Sequence, residues 1–340
     1  MKILLIGGTG SISTNISRKL IKDGQDLYLL NRGYSKNILG EKGVTYITCD
    51  INDEKKVSEW ISDLHFDVIA DFTAFKKEDI ERDYRLFKGK TDQYIFISSA
   101  TVYQKLMPGY VVTEGTSLGN PYSEYAQNKI ECEIYLTRLH REEFFPITIV
   151  RPSWTYDERV IPLSVTGNNG GWQVIKRMME GKKVIIHGDG SNLWTMTHAS
   201  DFAVGFIGLM GNVHAIGEAF HITSDESLTW YHMYKIVADA LGVEFKPIFV
   251  STTFLDGCSS YGYKSGIIGD KGNSLVFDNT KIKRFVPEFK AVTRFDQGIK
   301  ETVAYYLKHP EMQIEDKEFD TWCDRVIQTL EEAMIKINKH

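Results

Sequence analysis

The 340-residue chain is long enough for about two domains, or one large domain with an added lobe, and its 42% hydrophobic and 25% charged residues are ordinary for a globular protein with a real core. Forty Lys and Arg against 45 Asp and Glu give a net charge of −5, which excludes a general attraction to nucleic acid or to anionic membrane. The four cysteines, Cys49, Cys132, Cys258 and Cys323, are scattered without a CxxC pair, so neither a disulfide framework nor a metal site is expected, and a reducing, cytoplasmic setting fits.

Residues 2–6 (KILLI) form a short apolar run that stops at Gly7-Gly8-Thr9-Gly10. The run is too short for a signal h-region and reads instead as a buried parallel strand. Ile12, Ile16, Leu20 and Ile21 then recur at helical spacing until Asp23-Gly24. Strand-like segments follow at 26–31, 44–48, 67–71, 93–98 and 146–151, with helical patterns near 53–62, 78–88 and 122–141 between them. Alternation of this kind predicts βαβ units and a parallel sheet covered on both faces, a Rossmann-type doubly wound α/β fold. After Arg151-Pro152 the rhythm changes. Residues 152–200 carry many glycines together with Trp154, Trp172 and Trp194, and read as a loop-rich substrate lobe. Strands are expected again at 219–223 and 246–250, around a helix at 228–241, and a charged amphipathic helix ends the chain at 315–338. The expected division is a dinucleotide domain over 1–151, joined by segments near 199–225, with 152–340 mainly a smaller mixed substrate lobe. No stretch approaches the roughly 18 apolar residues of a membrane span.

The glycine turn at Gly7, Gly10 and Ser13 lies directly between the first strand and the first helix. A tight turn there lets backbone approach a pyrophosphate at a helix N-terminus, with Gly7, Thr9, Gly10, Ser11 and Ile12 as the contacts. Ser13 stands where a third glycine would pack helix on strand, and its small side chain predicts only a minor cost. The second strand ends in Asn31-Arg32-Gly33. An amide replaces the usual carboxylate, and Arg32 can pair with a 2′-phosphate or cover adenine, so NADP is favoured over NAD. Asp50 and Ile51 are expected to flank the adenine, and Phe72, Thr73 and Ala74 to line the ribose and nicotinamide half.

Residues 97–103 (ISSATVY) follow the fifth strand, and Tyr125 and Lys129 fall four apart in a helical pattern, on one face. Tyrosine is a poor base at its reference pKa near 10, and a neighbouring ammonium favours the phenolate. Ser99, Tyr125 and Lys129 therefore read as a proton-transfer set for an alcohol, with Ser99 hydrogen-bonding the same oxygen. Tyr122 competes for the role, but its i+4 partner is Ala126.

Together GGTGSIS, ISSATVY, PYSEYAQNK, Arg151-Pro152, HGDGSNLWTMTHASDFA and DNTKIKRFVPEF resemble the extended short-chain dehydrogenase/reductases of the NAD-dependent epimerase/dehydratase family. The resemblance implies catalytic Ser99, Tyr125 and Lys129, a sugar-like secondary alcohol as substrate, and a homodimer built on helices around 78–88 and 122–141. Three departures narrow it. Ala100 and Thr101 stand where 4,6-dehydratases carry an Asp-Glu pair, which disfavours dehydration. Trp194 replaces an Arg that holds a nucleotide diphosphate, and Trp154 replaces an Asn that contacts a nucleotide sugar. A sugar or glycoside that stacks on Trp154 or Trp194, near Thr101, then becomes plausible, although each tryptophan also suits a core. His198 is expected to anchor the lobe and Asp201 to cap a helix over 202–210. The rival reading is a non-catalytic dinucleotide- or RNA-binding protein, as in the plastid stem-loop binders of this family. The densest basic piece, 281–284 (KIKR), is short and lies in an acidic chain.

Overall fold

The computed structural model describes residues 1–33, 43–105 and 109–338, and the chain divides into two compact units. The first comprises 1–155, 197–225 and 277–292; the second comprises 156–196, 226–276 and 293–340.

The first unit is built on one seven-stranded sheet. Its strands include β1 (Lys2–Ile6), β2 (Asp26–Asn31), β3 (Val44–Thr48), β4 (Val68–Asp71) and β5 (Tyr94–Ile97). Ile147–Pro152 and Ala219–Ile222 complete it, in the order Ala219–Ile222, Ile147–Pro152, β5, β4, β1, β2, β3. Every neighbouring pair is parallel. Both faces of such a sheet must be covered, and alternate residues of each strand serve opposite layers. Ile3, Leu5, Leu27, Leu29, Val68 and Ala70 pack with Ile16 and Leu20 of α1 (Ser13–Lys22) and with the helix Ala199–Leu209. Leu4, Ile6, Leu30 and Ile69 pack on the other side with Val57 of α2 (Glu54–Trp60), Ile80 and Phe87 of α3 (Lys77–Phe87), and Leu136 of α4 (Glu124–Glu143). The sheet reverses its winding between β1 and β4, and in an open parallel sheet the carboxyl ends at that reversal form a crevice.

Sequence and structure differ at three places in detail. The helix expected over 122–141 begins at Glu124, because Ser123 caps it by accepting from the Ala126 amide at 3.3 Å. Tyr122 therefore precedes the helix. The cap of the helix Ala199–Leu209 is His198, whose ring nitrogen accepts from the Ser200 amide; Asp201 sits inside the first turn. The stretch 152–200 also carries more regular structure than its glycines suggest. It holds the helix Trp172–Met179 and the strand Val184–His187, which pairs in parallel with Pro247–Val250.

The second unit is held largely by its helices. Trp172 stacks on Tyr306 with centroids 6.0 Å apart, joining Trp172–Met179 to the helix Phe295–Lys308. Arg177 is buried and pairs with Asp320 (2.6 Å) and Asp324 (2.8 Å) of the helix Lys317–Ile337. No helix among the described residues is long and apolar enough to cross a membrane.

Candidate active site

The glycine turn is stitched by the serine that replaces its third glycine. Ser13 Oγ donates to the Gly7 carbonyl (2.7 Å) and accepts from the Gly10 amide (2.9 Å), so the hydroxyl closes the loop between β1 and α1. Gly8 brings helix and sheet together, since a Cβ there would meet Leu29 Cδ2 at 2.5 Å. Gly7 has φ +77°, and a Cβ on it would lie 2.5 Å from Thr73 Cγ2. A side chain at Gly7 costs about 1–3 kcal/mol in backbone strain alone and fills the crevice floor. Gly7→Ala is thus expected to weaken dinucleotide binding tenfold or more, on the order of 1.4 kcal/mol. A calorimetric titration with NAD checks this, and an unchanged affinity removes Gly7 from the binding surface.

A cavity of about 430 Å³ opens over this turn at the point where the sheet reverses. Gly7, Thr9 and Gly10 line its floor, Asn31, Arg32 and Gly33 one end, Asp50, Ile51 and Asn52 a side, and Thr73 and Phe75 the opposite wall. Among the expected contacts, Ser11, Ile12, Phe72, Ala74 and the pair Tyr125 and Lys129, also expected to reach the cofactor, are not lining residues. Phe72 turns away to pack on Phe206 (5.6 Å), and the fully buried Ala74 presents its carbonyl to Lys129. Cys49, Phe75, Asp79 and Arg82 line the cavity without having been anticipated. Asn31 Oδ1 accepts from the Gly33 amide at 2.9 Å, while its buried Nδ2 has no partner among the described residues. A glycine cradle that a Cβ would obstruct, an orphaned amide donor and a volume within the ordinary range for small-molecule sites together fit a dinucleotide.

Ser99 lies two residues past β5 and caps the short turn Ala100–Val102. Its Oγ accepts from the Thr101 amide (3.2 Å) and hydroxyl (2.9 Å). Tyr125 lies in the first turn of α4 with 41% of its surface exposed, whereas Lys129, one turn further on, is only 2% exposed. Lys129 Nζ donates to the carbonyls of Ile97 (2.6 Å) and Ala74 (2.7 Å) and lies 5.8 Å from the centre of the Tyr125 ring. Burial pulls the Lys129 ammonium down to about 8, because desolvation disfavours charge. Phe75 joins this group to the cavity: its ring is 4.6 Å from Lys129 Nζ and 6.2 Å from the Tyr125 ring.

Residues 3–223 match the NAD dependent epimerase/dehydratase family. The chain belongs to that family. It is 25% identical over 250 residues to 2'-dehydrokanamycin reductase of Streptomyces kanamyceticus, covering 74% of this chain and 69% of that one. It is 28% identical over 255 residues to a chloroplast stem-loop binding protein of 41 kDa of Arabidopsis thaliana, covering 71% and 63%. Its fold resembles that of UDP-glucuronic acid 4-epimerase from Bacillus cereus, solved in complex with NAD, with a TM-score of 0.72 and 19% identity over 91% of this chain and 99% of that one.

Of the tryptophans singled out in sequence, Trp154 is half-buried at the end of the first unit. Trp194 is 4% exposed and tilted on Trp230 at 5.9 Å, and its buried indole N–H has no partner among the described residues. The Trp194 ring, expected as a stacking surface, packs within the second unit. Thr101 remains half-buried beside Ser99.

Proposed function

We propose that this member of the family is an NAD(P)-dependent oxidoreductase or epimerase acting at one secondary alcohol of a sugar-like substrate. The observation that carries the reading is Phe75, which lines the dinucleotide cavity and touches both Tyr125 and the buried Lys129. Gly7, Thr9, Gly10, Asn31, Arg32, Asp50, Ile51 and Thr73 would hold the dinucleotide. When bound, that group supplies the site that takes and returns a hydride.

The side chains do the rest. Tyr125 accepts the alcohol proton, and Lys129, charged below about pH 8, favours the phenolate that this requires. Two of the three Lys129 N–H groups are engaged by carbonyls, which leaves one for a ribose or substrate hydroxyl. Ser99 accepts twice from Thr101, so its own proton is available to the substrate oxygen. Release of the ketone gives dehydrogenation, and reduction is the reverse. Rotation of the ketone before hydride returns gives epimerisation. With Ala100 and Thr101 in place of an acid–base pair, dehydration is not part of the reading. The similarity to 2'-dehydrokanamycin reductase supports a sugar or glycoside substrate without a nucleotide. The first unit would bind the dinucleotide and the second shape the substrate site. A homodimer through α3 and α4, in a cytoplasmic setting, belongs to the same reading; α4 leaves Ile134 64% exposed.

Mass analysis of any dinucleotide released on denaturation, followed by titration of the emptied protein with NAD and NADP, tests the cofactor. UDP-glucuronic acid and 2'-dehydrokanamycin serve as first substrate probes. Tightly retained NAD indicates an epimerase, exchangeable NADP a reductase, and binding of neither overturns the reading. Arg32 favours NADP here, so Arg32→Ala should cost about tenfold in NADP affinity, roughly one charge-assisted contact, and leave NAD nearly unchanged. Equal losses for both would assign Arg32 to adenine instead.

The stem-loop binding relative keeps an RNA-binding reading in view, but the basic segment 281–284 does not favour it. Lys281 pairs with Glu218 (2.7 Å) and Lys283 with Asp225 (2.6 Å), so both of its lysines are already paired with carboxylates. Salt-dependent retention of RNA would reverse that judgement.

A further inference from the structure

Between α3 and the sheet lies a buried charged cluster for which an apolar helix face has no need. Asp83 occupies the inward spacing of α3 between Ile80 and Phe87, and both Asp83 and Asp71, the last residue of β4, are fully buried. Arg82 is 5% exposed and holds both carboxyls. It donates to Asp83 Oδ1 through Nε (2.9 Å) and Nη2 (2.8 Å), and to Asp71 Oδ2 through Nη2 (3.3 Å). Its Nη1 reaches the cavity wall at Asn52 (2.8 Å) and Asp79 (3.4 Å). The Tyr94 hydroxyl donates to Asp83 Oδ2 at 2.5 Å. Burial, with Asp71 beside it, pushes the Asp83 carboxyl well above the usual carboxylate range. Replacing a buried ionic cluster by apolar residues is often neutral or stabilising, so stability alone does not account for this one.

What the cluster holds is the turn after β4. Asp71 Oδ1 accepts from the Thr73 amide (2.5 Å) and the Thr73 hydroxyl (2.7 Å). That fixes the Thr73 methyl against Gly7 on the cavity wall. The next residue, Ala74, gives its carbonyl to Lys129 Nζ at 2.7 Å. One carboxylate thus sets a wall of the dinucleotide cavity and one of the two tethers on the lysine.

We propose that Asp71 is a positioning residue that places Lys129 and the Thr73 wall of the cavity, held in turn by Arg82 and Asp83. The inference rests on the functional reading of Lys129, and it deepens that reading. Lys129 is faced by Tyr125, Cys132 and Glu133 from α4, by Asp79 from α3 and by Asp71 from β4; the Cys132 thiol, pushed up by burial to about 12, stays neutral through the range of interest.

The test uses the full chain with lysines labelled at Cε, and follows the Lys129 resonance against pH, assigned by its loss in Lys129→Arg. In the native protein it should titrate near 8. In Asp71→Asn the midpoint should fall by about 1 pH unit, since a carboxylate favouring the charged form is gone, and NAD should bind about tenfold more weakly. Thr73→Val, isosteric and outside the charged cluster, covers the case in which Asp71→Asn does not fold. It should weaken NAD binding several-fold, roughly one lost hydrogen bond, and Thr73→Ser, which keeps the hydroxyl, should lose clearly less than Thr73→Val. An unmoved Lys129 midpoint in a folded Asp71→Asn overturns the proposal. So does native behaviour of Thr73→Val, or a Thr73→Ser defect as large as that of Thr73→Val. If the native protein binds neither NAD nor NADP, the functional reading falls by itself, and the Lys129 midpoint still decides the positioning role.

Discussion

Tyr125→Phe is expected to lower turnover of any probe the native enzyme accepts by about 10²–10⁴-fold, the usual worth of a positioned acid or base. Tyr125 is 41% exposed, and the substitution removes only its hydroxyl, so folding and dinucleotide affinity should stay within about twofold of native. Steady-state kinetics alongside NAD titration separates the two effects. The pH dependence carries a second signature. Lys129 loses its proton above about 8, and with it the charge that favours the phenolate. The rate of the native enzyme should therefore decline as pH rises through about 8. Full turnover in Tyr125→Phe would assign the proton transfer elsewhere, with Ser99 the next candidate.

Glu133→Ala should destabilise the first unit by about 3–5 kcal/mol, because it leaves Arg151 buried without its carboxylate. Glu133 is 3% exposed and Arg151 5%. Their fork is close to ideal, with Nη2 to Oε2 at 2.6 Å and Nε to Oε1 at 3.0 Å, and Ser98 Oγ adds a third donor to Oε1 at 2.5 Å. Glu133 follows Tyr125 and Lys129 at the same four-residue interval along α4, so the clamp ties the face bearing that pair to the end of β5, next to Ser99. Removing both charges, as in Glu133→Leu with Arg151→Met, should recover most of the loss, since the cost lies in the uncompensated ion. Urea unfolding of the single and double variants gives the answer. A loss below about 1 kcal/mol in the single variant would place the pair in the class of solvated surface bridges.

Much of the central sheet and of the glycine turn after β1 was legible in the chain because it depends on local period and local chemistry. The apolar runs that became β1 to β5 sit between helical patterns. Gly7 and Gly8 interrupt them where only a bare backbone serves, and Tyr125 and Lys129 share a helix face by spacing alone. The buried cluster left a weaker trace. Asp83 sits at an apolar position of α3, and Asp71 closes an otherwise apolar strand. Both are anomalies of pattern, but neither names its partner.

The alternation of strands and helices, the glycine turn and the four-residue step from Tyr125 to Lys129 can be read from the chain alone, because each follows from neighbours within one or two turns. Only the tertiary structure decided that Lys129 is held by carbonyls 55 and 32 residues away, and that Asp71 meets Arg82 across a strand and a helix. It alone decided that His198 caps the helix assigned to Asp201, that Trp194 packs on Trp230, and that 277–292 returns to the first unit. The reason is physical: period and turn chemistry specify which face of an element is buried, whereas the partner a buried polar group finds depends on which elements the sheet order makes adjacent.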